Sequence, residues 1–288
     1  MQIGTRRIGA GEPTFVIAEA GSNHDGSVER AKELVDVAAD AGADAVKFQT
    51  FRAESVYVRE AGTVEVETGE QELYDIVAEA EMPYDWIPEL HDYCSARDIE
   101  FMSSPFDERS AAELDAFVPA YKIGSSVLSH HRFLETLAET GKPLVASTGA
   151  HNLTEVRQTM EVLDRAGVSD VALLHCVSSY PTPLKSINVR AVATLAEEFD
   201  VPVGLSDHTL DPTTAPRAAV ALGADVIEKH VTTDSSRDGL DHSFALEPDE
   251  LAEMVEAIRA TESALGDGEV TVQDEERDWY ENARRTLQ

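Results

Sequence analysis

Three polar side chains end an otherwise apolar run near the carboxyl terminus of the sequence. In the stretch ADVIEKHVTT, residues 224–233, the run passes into Glu228, Lys229 and His230. A second histidine, His208, stands 22 residues earlier, just after the apolar run PVGLS. If the two runs are neighbouring strands, their backbones lie about 4.8 Å apart. Two neutral imidazoles at that separation can share a divalent ion with a carboxylate and water, although either histidine alone is equally typical of an ordinary strand end.

The alternation of side chains along a strand separates these polar residues into two groups. Glu228 and His230 share one face, and Lys229 points to the other. If the imidazoles face the barrel axis, Lys229 is structural. The oxygen ligands that we expect beside the histidines are Glu19, at the end of the first strand, and Asp241, in the loop after the last strand.

Lysine is scarce in this sequence, which has six lysines against 17 arginines. Three of the six, Lys47, Lys122 and Lys229, lie inside the strand-like runs AVKFQTF, YKIGSS and VIEKHVT. A lysine stem can pack along apolar surface while its ammonium group reaches water. That explanation suits one such lysine better than three, so we expect some of them to bind an anion.

Strand-length apolar runs alternate with helical patterns along the chain, which predicts the elements that position these residues. The predicted strands cover residues 15–19, 45–49, 100–104, 121–124, 144–148, 171–176, 202–206 and 225–230. Eight such units favour a (β/α)8 TIM barrel, an α/β fold. An open doubly wound sheet is the alternative, but no GxGxxG motif follows the first strand. We predict a catalytic barrel over residues 1–266, with a short N-terminal hairpin in residues 1–12, and an acidic C-terminal tail over 267–288.

Barrels of this kind carry their chemistry at the carboxyl ends of the strands. The residues at those ends are Glu19, Lys47, Gln49, Ser104, Lys122, Ser125, Ser147, Ser178, Tyr180, Ser206, His208 and His230. Two lysines and several hydroxyls suit a compact polyanion that carries a phosphate and a carboxylate. A helix N-cap is an equally good interpretation of Ser147, and the two roles are compatible.

The net charge of −32, from 55 acids and 23 bases, argues against nucleic acid or an anionic membrane as a partner. The acids are scattered, which is typical of proteins from high-salt cytoplasm, so we expect a halophilic source. No apolar run approaches the roughly 18 residues of a membrane span. Since Cys94 and Cys176 form no disulfide framework, we expect a cytoplasmic protein.

Nine segments in order resemble the sialic acid synthase family across about residues 3 to 286. They are IAEAGSNHDGS, GADAVKFQTF, FMSSPFD, YKIGSS, GKPLVASTGA, LLHCVSSYPTP, VPVGLSDHT, GADVIEKHVT and LEPDEL. The resemblance implies a phosphoenolpyruvate-dependent condensation with an open-chain N-acetylhexosamine such as N-acetylmannosamine, giving a nonulosonic acid and phosphate. It also implies a homodimer or higher homo-oligomer.

The resemblance further implies roles for individual residues. His208 and His230 would hold Mn²⁺, with Mg²⁺ or Co²⁺ as alternatives. Phosphoenolpyruvate would be held by residues at the matching positions, which are Lys47, Ser104, Lys122, Ser125, Ser147, Ser178 and Ser206. Gln49, Tyr180 and Asp241 would meet the sugar, with Glu19 beside the reacting centre. Because Glu19 is the strand-end acid nearest the expected metal, we expect it to handle the proton of the water or hydroxyl.

The sequence departs from the family pattern in three places. Val127 stands where an acid often contacts the sugar, and Ser178 or Ser179 replaces a common asparagine or acid. The sequence given ends at Gln288, where a linker to an antifreeze-like domain would begin. We therefore expect permissive sugar binding. The alternatives are a related condensing enzyme for another aldose or sugar phosphate, and an inactive barrel that serves as a partner subunit.

Overall fold

A closed barrel of eight parallel strands forms the body of the protein, which confirms the predicted fold. The computed structural model describes residues 1–60, 62–66 and 69–283. The strands are β1 (Phe15–Gly21), β2 (Ala45–Thr50), β3 (Glu100–Pro105), β4 (Tyr121–Ile123), β5 (Leu144–Ser147), β6 (Val171–Cys176), β7 (Val203–Asp207) and β8 (Val226–His230). Each strand begins and ends within two residues of its predicted run. The prediction succeeds because strands of a parallel barrel are covered on both faces and are almost continuously apolar.

A helix follows each strand and covers the outside of the barrel. These helices are α1 (Val28–Asp40), α2 (Trp86–Ala96), α3 (Glu108–Leu114), α4 (His131–Ala138), α5 (Leu153–Arg165), α6 (Ala191–Glu198), α7 (Thr214–Ala221) and α8 (Pro248–Leu265). Local sequence fixes several of their ends. Asn152 and Glu155 form a capping box at the start of α5, and Gly167 follows its end with a φ of 83°, a conformation that glycine adopts without a steric penalty.

The strands follow one another around the barrel in chain order, and β8 pairs with β1 to close the ring. The register places several site residues of neighbouring strands beside one another. Glu19 on β1 is level with His230 on β8 and with Lys47 on β2. Ser206 on β7 is level with Glu228 on β8. Side chains that are up to 211 positions apart in sequence therefore meet at one end of the barrel.

Two buried apolar clusters lie on either side of the strands. The larger one fills the layer between the strands and the helices. The smaller one fills the amino-terminal half of the barrel interior, where Phe15, Ile17 and Met102 meet Ile3 and Ile8. Ile3 belongs to an antiparallel hairpin that pairs Gln2–Ile3 with Arg6–Arg7. The predicted N-terminal hairpin is therefore present, and it closes the bottom of the barrel.

The longest departure from strict strand–helix alternation is the connection between β2 and α2. It contains the helices Ala53–Val56 and Leu73–Glu79 and a hairpin that pairs Thr63–Val66 with Gly69–Glu72. Short 3₁₀ helices at Ser125–Val127, Leu184–Ser186 and His242–Phe244 lie in loops at the carboxyl end of the barrel.

The predicted acidic tail begins directly after α8. Residues 267–283 are all exposed and include a 3₁₀ turn at Asp274–Glu276 and the helix Arg277–Asn282. The last part of the predicted tail, residues 284–288, lies outside the described residues. Within the part of the chain that the structure describes, no helix combines the length and apolar character needed to cross a bilayer.

Candidate active site

The predicted site residues meet at the carboxyl end of the barrel. The strands contribute Glu19, Lys47, Gln49, Ser104, Lys122, Ser147, Ser206 and His230, and the loops that follow them contribute Ser125, Ser178, Tyr180, His208 and Asp241.

Two lysines and two glutamates form a buried charged cluster at the carboxyl end of the barrel, which we call the mouth. Lys47 Nζ lies 2.6 Å from Glu19 Oε2 and 3.8 Å from Glu228 Oε2. Lys122 Nζ lies 3.4 Å from Glu228 Oε1. Gln49 Nε2 donates a hydrogen bond to Glu19 Oε1 at 2.8 Å. All four charged side chains are buried. Their formal charges cancel, so the two ammonium groups are buried without excess positive charge.

Glu228 is the member of this charged cluster that was not among the site residues predicted from the sequence. Its carboxylate lies between Lys47 and Lys122 and accepts a hydrogen bond from Ser206 at 2.9 Å. Its Oε2 atom is buried and has no hydrogen-bond donor among the described residues. Alternation along β8 places Glu228 on the same face as His230, so the sequence contained enough information to predict Glu228 as a site residue.

The burial of these charges shifts their pKa values in different directions. Burial lowers the pKa of Lys122, and Glu228 offsets only part of that effect. For Lys47, burial acts the same way, but Glu19 and Glu228 raise its pKa above the ordinary value. Burial raises the pKa of Glu19 against the opposing effect of Lys47. The pKa of Glu228 is lowered, because Lys122 and Lys47 outweigh its burial.

Three of the predicted serine hydroxyls form hydrogen bonds with the charged cluster. Lys47 Nζ donates to Ser104 Oγ at 3.2 Å, and Lys122 Nζ donates to Ser147 Oγ at 2.7 Å. Ser206 donates to Glu228, as described above. Ammonium and hydroxyl donors around one small space are the groups that bind phosphate and carboxylate oxygens.

The other two hydroxyls surround Gly149, which the sequence analysis did not single out. A Cβ atom at this position would lie 2.4 Å from Ser178 Oγ, 2.7 Å from Ser125 Oγ and 3.0 Å from Cys176 Sγ. The Gly149 N–H donates to Ser125 Oγ at 2.9 Å. The absence of a side chain here therefore lets two hydroxyls and a backbone N–H converge.

The two histidines lie side by side beneath aromatic rings. The ring centroids of His208 and His230 are 5.4 Å apart. Tyr180 lies 4.3 Å from the His208 ring, and Phe244 lies 4.9 Å from the His230 ring. Burial lowers the pKa of His208. The pKa of His230 lies well below its usual value, because of its burial and of the neighbouring His208. Both rings are therefore neutral at neutral pH, as metal coordination requires.

The nitrogen atoms of these rings have different environments. His208 Nδ1 donates to the Val177 carbonyl at 3.1 Å, which leaves Nε2 with the free lone pair. His230 Nδ1 is buried, has no hydrogen-bond partner among the described residues, and lies 3.7 Å from Asp241 Oδ2. Burial and the nearby Glu19 raise the pKa of Asp241 to about 7. An unpartnered imidazole nitrogen beside a buried carboxyl fits an absent cation.

These donors amount to an incomplete coordination sphere. In the described part of the chain, no group of three or more His, Cys, Asp or Glu side chains is arranged so that it could hold a metal ion by itself. The two imidazoles and the nearby Asp241 would therefore hold an ion only if water or substrate atoms supplied the remaining ligands. The predicted metal pair stays a prediction.

Two of the three predicted sugar contacts, Gln49 and Asp241, converge at Gly21, whereas Tyr180 lies against the His208 ring. A Cβ atom on Gly21 would lie 2.5 Å from Asp241 Oδ2 and 3.5 Å from both Gln49 Nε2 and Glu19 Oε1. Gly21 has a φ of 52°, so its conformation also disfavours a side chain. Three polar groups therefore face one small space beside the histidines.

Two neighbouring residues lie outside this space. Lys229 is buried on the other face of β8, where its Nζ lies 2.5 Å from Asp207 Oδ2 and donates to the Thr209 carbonyl at 2.6 Å. This ion pair agrees with the structural role predicted for Lys229. Val127 packs in the larger apolar cluster, and the expected loss of a sugar contact there stays a prediction.

Comparisons with known proteins give a consistent family match. Residues 34–270 match the NeuB family. The chain is 42% identical over 288 residues to an uncharacterized protein of Methanocaldococcus jannaschii, a match that covers 100% of this chain and 82% of the relative. It is 38% identical over 293 residues to the N,N'-diacetyllegionaminic acid synthase of Legionella pneumophila, covering 99% of this chain and 82% of that enzyme.

A solved structure has the same architecture. The N-acetylneuraminic acid (sialic acid) synthetase of Leptospira borgpetersenii, crystallised in complex with citrate, superimposes with a TM-score of 0.88 at 32% identity. The match covers 98% of this chain and 95% of that chain.

Proposed function

Because this chain belongs to the NeuB family, we propose that it condenses phosphoenolpyruvate with an open-chain N-acetylhexosamine resembling N-acetylmannosamine. The products are a nonulosonic acid and inorganic phosphate. Relatives named as synthases of diacetyllegionaminic acid and of N-acetylneuraminate 9-phosphate support the reaction class. Their different products leave the sugar as the part that needs experiment.

The observation that carries this proposal is the buried pair Lys47 and Lys122 with the hydroxyls bonded to them. Glu19 and Glu228 balance the charges of the two ammonium groups, and the ammonium and hydroxyl donors together suit the oxygen atoms of an anionic substrate. Phosphoenolpyruvate has a carboxylate and a phosphate close enough together to engage both lysines. Ser125, Ser178 and the Gly149 N–H would hold one of these groups at the cradle that the missing side chain of Gly149 leaves.

The second substrate would be met at the space around Gly21. Gln49 and Asp241 would orient the sugar hydroxyls and the aldehyde, so that C1 lies beneath C3 of phosphoenolpyruvate. Positioning of this kind replaces a collision of two substrates by an intramolecular approach and contributes about 7–11 kcal/mol to the barrier reduction in favourable cases.

His208, His230 and Asp241 are the residues that would hold a divalent ion, Mn²⁺ in our proposal, with Mg²⁺ or Co²⁺ as alternatives. When bound, such an ion supplies Lewis-acid polarisation of the aldehyde oxygen. The chain supplies the neutral imidazoles and the Phe244 and Tyr180 rings, which exclude water from one side of the site.

Glu19 is the proposed proton carrier. C3 of phosphoenolpyruvate attacks the aldehyde carbon, positive charge develops at C2, and a water molecule adds there before phosphate leaves. The added water gives up a proton and the former aldehyde oxygen takes one up, and a carboxylate whose pKa is raised by burial would carry this proton between them. Glu228, whose pKa is lowered, keeps its charge and holds the lysines.

Phosphate release tests the proposal. The metal-stripped protein is mixed with Mn²⁺, phosphoenolpyruvate and a panel of sugars: N-acetylmannosamine, its 6-phosphate and dideoxy-diacetamido hexoses. We expect sugar-dependent phosphate release that chelation abolishes and added Mn²⁺ restores. Release with another aldose alone would favour a related condensing enzyme. No release with any sugar, despite phosphoenolpyruvate binding, would favour an inactive barrel that serves as a partner subunit.

A further inference from the structure

A further buried histidine, beside the two in the site, is hydrogen-bonded at both ring nitrogens. His242 is 1% exposed. Its Nε2 lies 2.8 Å from Asp25 Oδ1, and its Nδ1 lies 2.7 Å from Thr232 Oγ1. The Asp25 carboxylate can only accept, so Nε2–H donates to it. Nδ1 shares its hydrogen bond with the Thr232 hydroxyl, which also donates to the Asp234 carbonyl at 3.3 Å. We call Asp25, His242 and Thr232 the His242 clamp.

The clamp joins the loop after β1 to the loop after β8. Asp25 is 217 positions from His242 in sequence and has a φ of 47°, a conformation that non-glycine residues rarely adopt. Its other carboxylate oxygen bonds two half-buried arginines, Arg30 at 2.8 Å and Arg237 at 3.1 Å. A strained backbone conformation persists where several surrounding contacts stabilise it. Here three partners bind the one carboxylate of Asp25.

The segment that the clamp fixes carries two side chains of the proposed metal site. Asp241 immediately precedes His242, and Phe244 ends the same 3₁₀ turn. Asp241 Oδ2 lies 3.7 Å from His230 Nδ1, and the Phe244 ring lies 4.9 Å from the His230 ring. The Ser22 N–H also bonds the Asp241 carboxylate. The loop after β1 therefore holds this segment at two adjacent points.

Two glycines leave the space that this arrangement uses. A Cβ atom at Gly239 would lie 2.5 Å from the His242 ring, and one at Gly21 would lie 2.5 Å from Asp241 Oδ2. The His242 ring therefore packs against the backbone at Gly239, and the Asp241 carboxylate packs against the backbone at Gly21. A small displacement of His242 would shift Asp241 directly.

We propose that the His242 clamp is a positioning device that holds Asp241 against His230 and thereby sets the affinity of the site for a divalent ion. The inference rests on the proposed function, because it assumes that Asp241 and the two imidazoles bind the ion. His242 itself does not touch the ion. Residues that orient metal ligands typically change metal affinity about 10–100-fold when they are replaced.

Calorimetric titration of the metal-free protein with MnCl₂ alone tests the clamp. Asp25→Ala and His242→Phe each remove one bond of the clamp, and we expect each to weaken Mn²⁺ binding at least about tenfold. Asp25→Asn keeps an acceptor oxygen for His242, so its affinity should stay within about threefold of the wild type. Phosphoenolpyruvate binding by the same metal-free variants should not change, because Lys47 and Lys122 are untouched.

Arg30→Ala and Arg237→Ala are the matched controls. They remove the other partners of the same carboxylate without touching His242, and they should bind Mn²⁺ as the wild type does. Turnover of Asp25→Ala should recover at saturating Mn²⁺, which a general loss of structure would not allow. If His242→Phe does not fold, as judged by its melting temperature, Asp25→Ala still carries the test.

Two results would overturn the clamp, and they are distinguishable. If the wild type binds Mn²⁺ and both clamp variants bind it equally well, the clamp is only a loop contact and the proposed function stands. If the wild type itself binds no Mn²⁺, the proposed metal centre fails and the clamp fails with it.

Discussion

At the scale of single residues, the mouth of this barrel is a balance of buried charges. Lys47 and Lys122 each lie near a glutamate, and Glu228 lies near both. A buried ion pair contributes little net stability, but removal of one partner leaves an uncompensated charge. Substitutions here therefore change both folding and binding, and a useful variant must separate the two.

Lys47→Met should weaken phosphoenolpyruvate binding by at least about tenfold, since a hydrogen bond from a charged group contributes about 1.5–3 kcal/mol. It should also destabilise the protein by about 3–5 kcal/mol, because Glu19 loses a partner at 2.6 Å. The double variant Lys47→Met/Glu19→Gln should recover most of that stability but none of the affinity. Urea unfolding and calorimetry measure the two effects, and normal phosphoenolpyruvate binding by the folded fraction would show that Lys47 is structural.

Glu228→Gln should strengthen phosphoenolpyruvate binding, because it removes a negative charge from between the two lysines. A unit charge about 5 Å away contributes about 3 kcal/mol at an effective dielectric constant of about 20, so we expect an increase of tenfold or more. Glutamine keeps an acceptor for Ser206. Calorimetry with phosphoenolpyruvate measures the change, and weaker binding would mean that Glu228 acts mainly by orienting the lysines.

At the scale of elements, the strands were predictable and the loops were not. Buried parallel strands leave an unmistakable apolar pattern, and alternation along them put Lys229 and His230 on opposite faces, as the structure has them. The packing around Gly149 depends on hydroxyls from two other loops. The contact between Asp25 and His242 joins loops 217 positions apart. No local periodicity encodes such contacts, so one sequence could not reveal them.

Gly149→Ala tests the loop between β5 and α5 as an element that leaves room for an anion. The new methyl group would meet Ser178 Oγ and Ser125 Oγ at 2.4 and 2.7 Å. We expect the KM for phosphoenolpyruvate to rise at least about tenfold, since an extra methyl in a packed space costs about 1–3 kcal/mol. Mn²⁺ affinity should not change, because the histidines lie on other elements. An unchanged KM would place the phosphoenolpyruvate site elsewhere.

At the scale of the whole molecule, the two ends of the barrel serve different purposes. The carboxyl end gathers charged and polar groups, whereas the amino-terminal end is closed by Ile3 and Ile8 against an apolar interior. In TIM barrels the first end carries activity and the second carries stability.

Ile3→Ala and Ile8→Ala should therefore reduce stability without changing the chemistry. Each removes a fully or almost fully buried side chain, and the expected loss is about 2–5 kcal/mol of unfolding free energy. Phosphate release per folded molecule should match the wild type at a temperature where the variant remains folded. A changed KM for either substrate would show that the bottom of the barrel communicates with the mouth.

The scattered acidic surface predicts a dependence of stability on salt. A net charge of −32 repels itself, and added salt shortens the Debye length from about 30 Å at 0.01 M to about 10 Å at 0.1 M. We expect the melting temperature to rise steeply with KCl below 0.5 M, where screening dominates. Scanning calorimetry across that range measures the slope, and a flat profile would remove the argument for a halophilic source.

The closure of the ring between β8 and β1 has a consequence for the order in which the parts of the protein are synthesised. Glu19 leaves the ribosome early, and His230, its partner in register, follows 211 residues later. At about 5–20 residues per second, that interval lasts about 10–40 s. During it, β1 has a neighbour on only one side, so the nascent chain exposes an apolar strand edge on which other chains can assemble. The mouth, and with it any catalysis, exists only after the last strand has been translated.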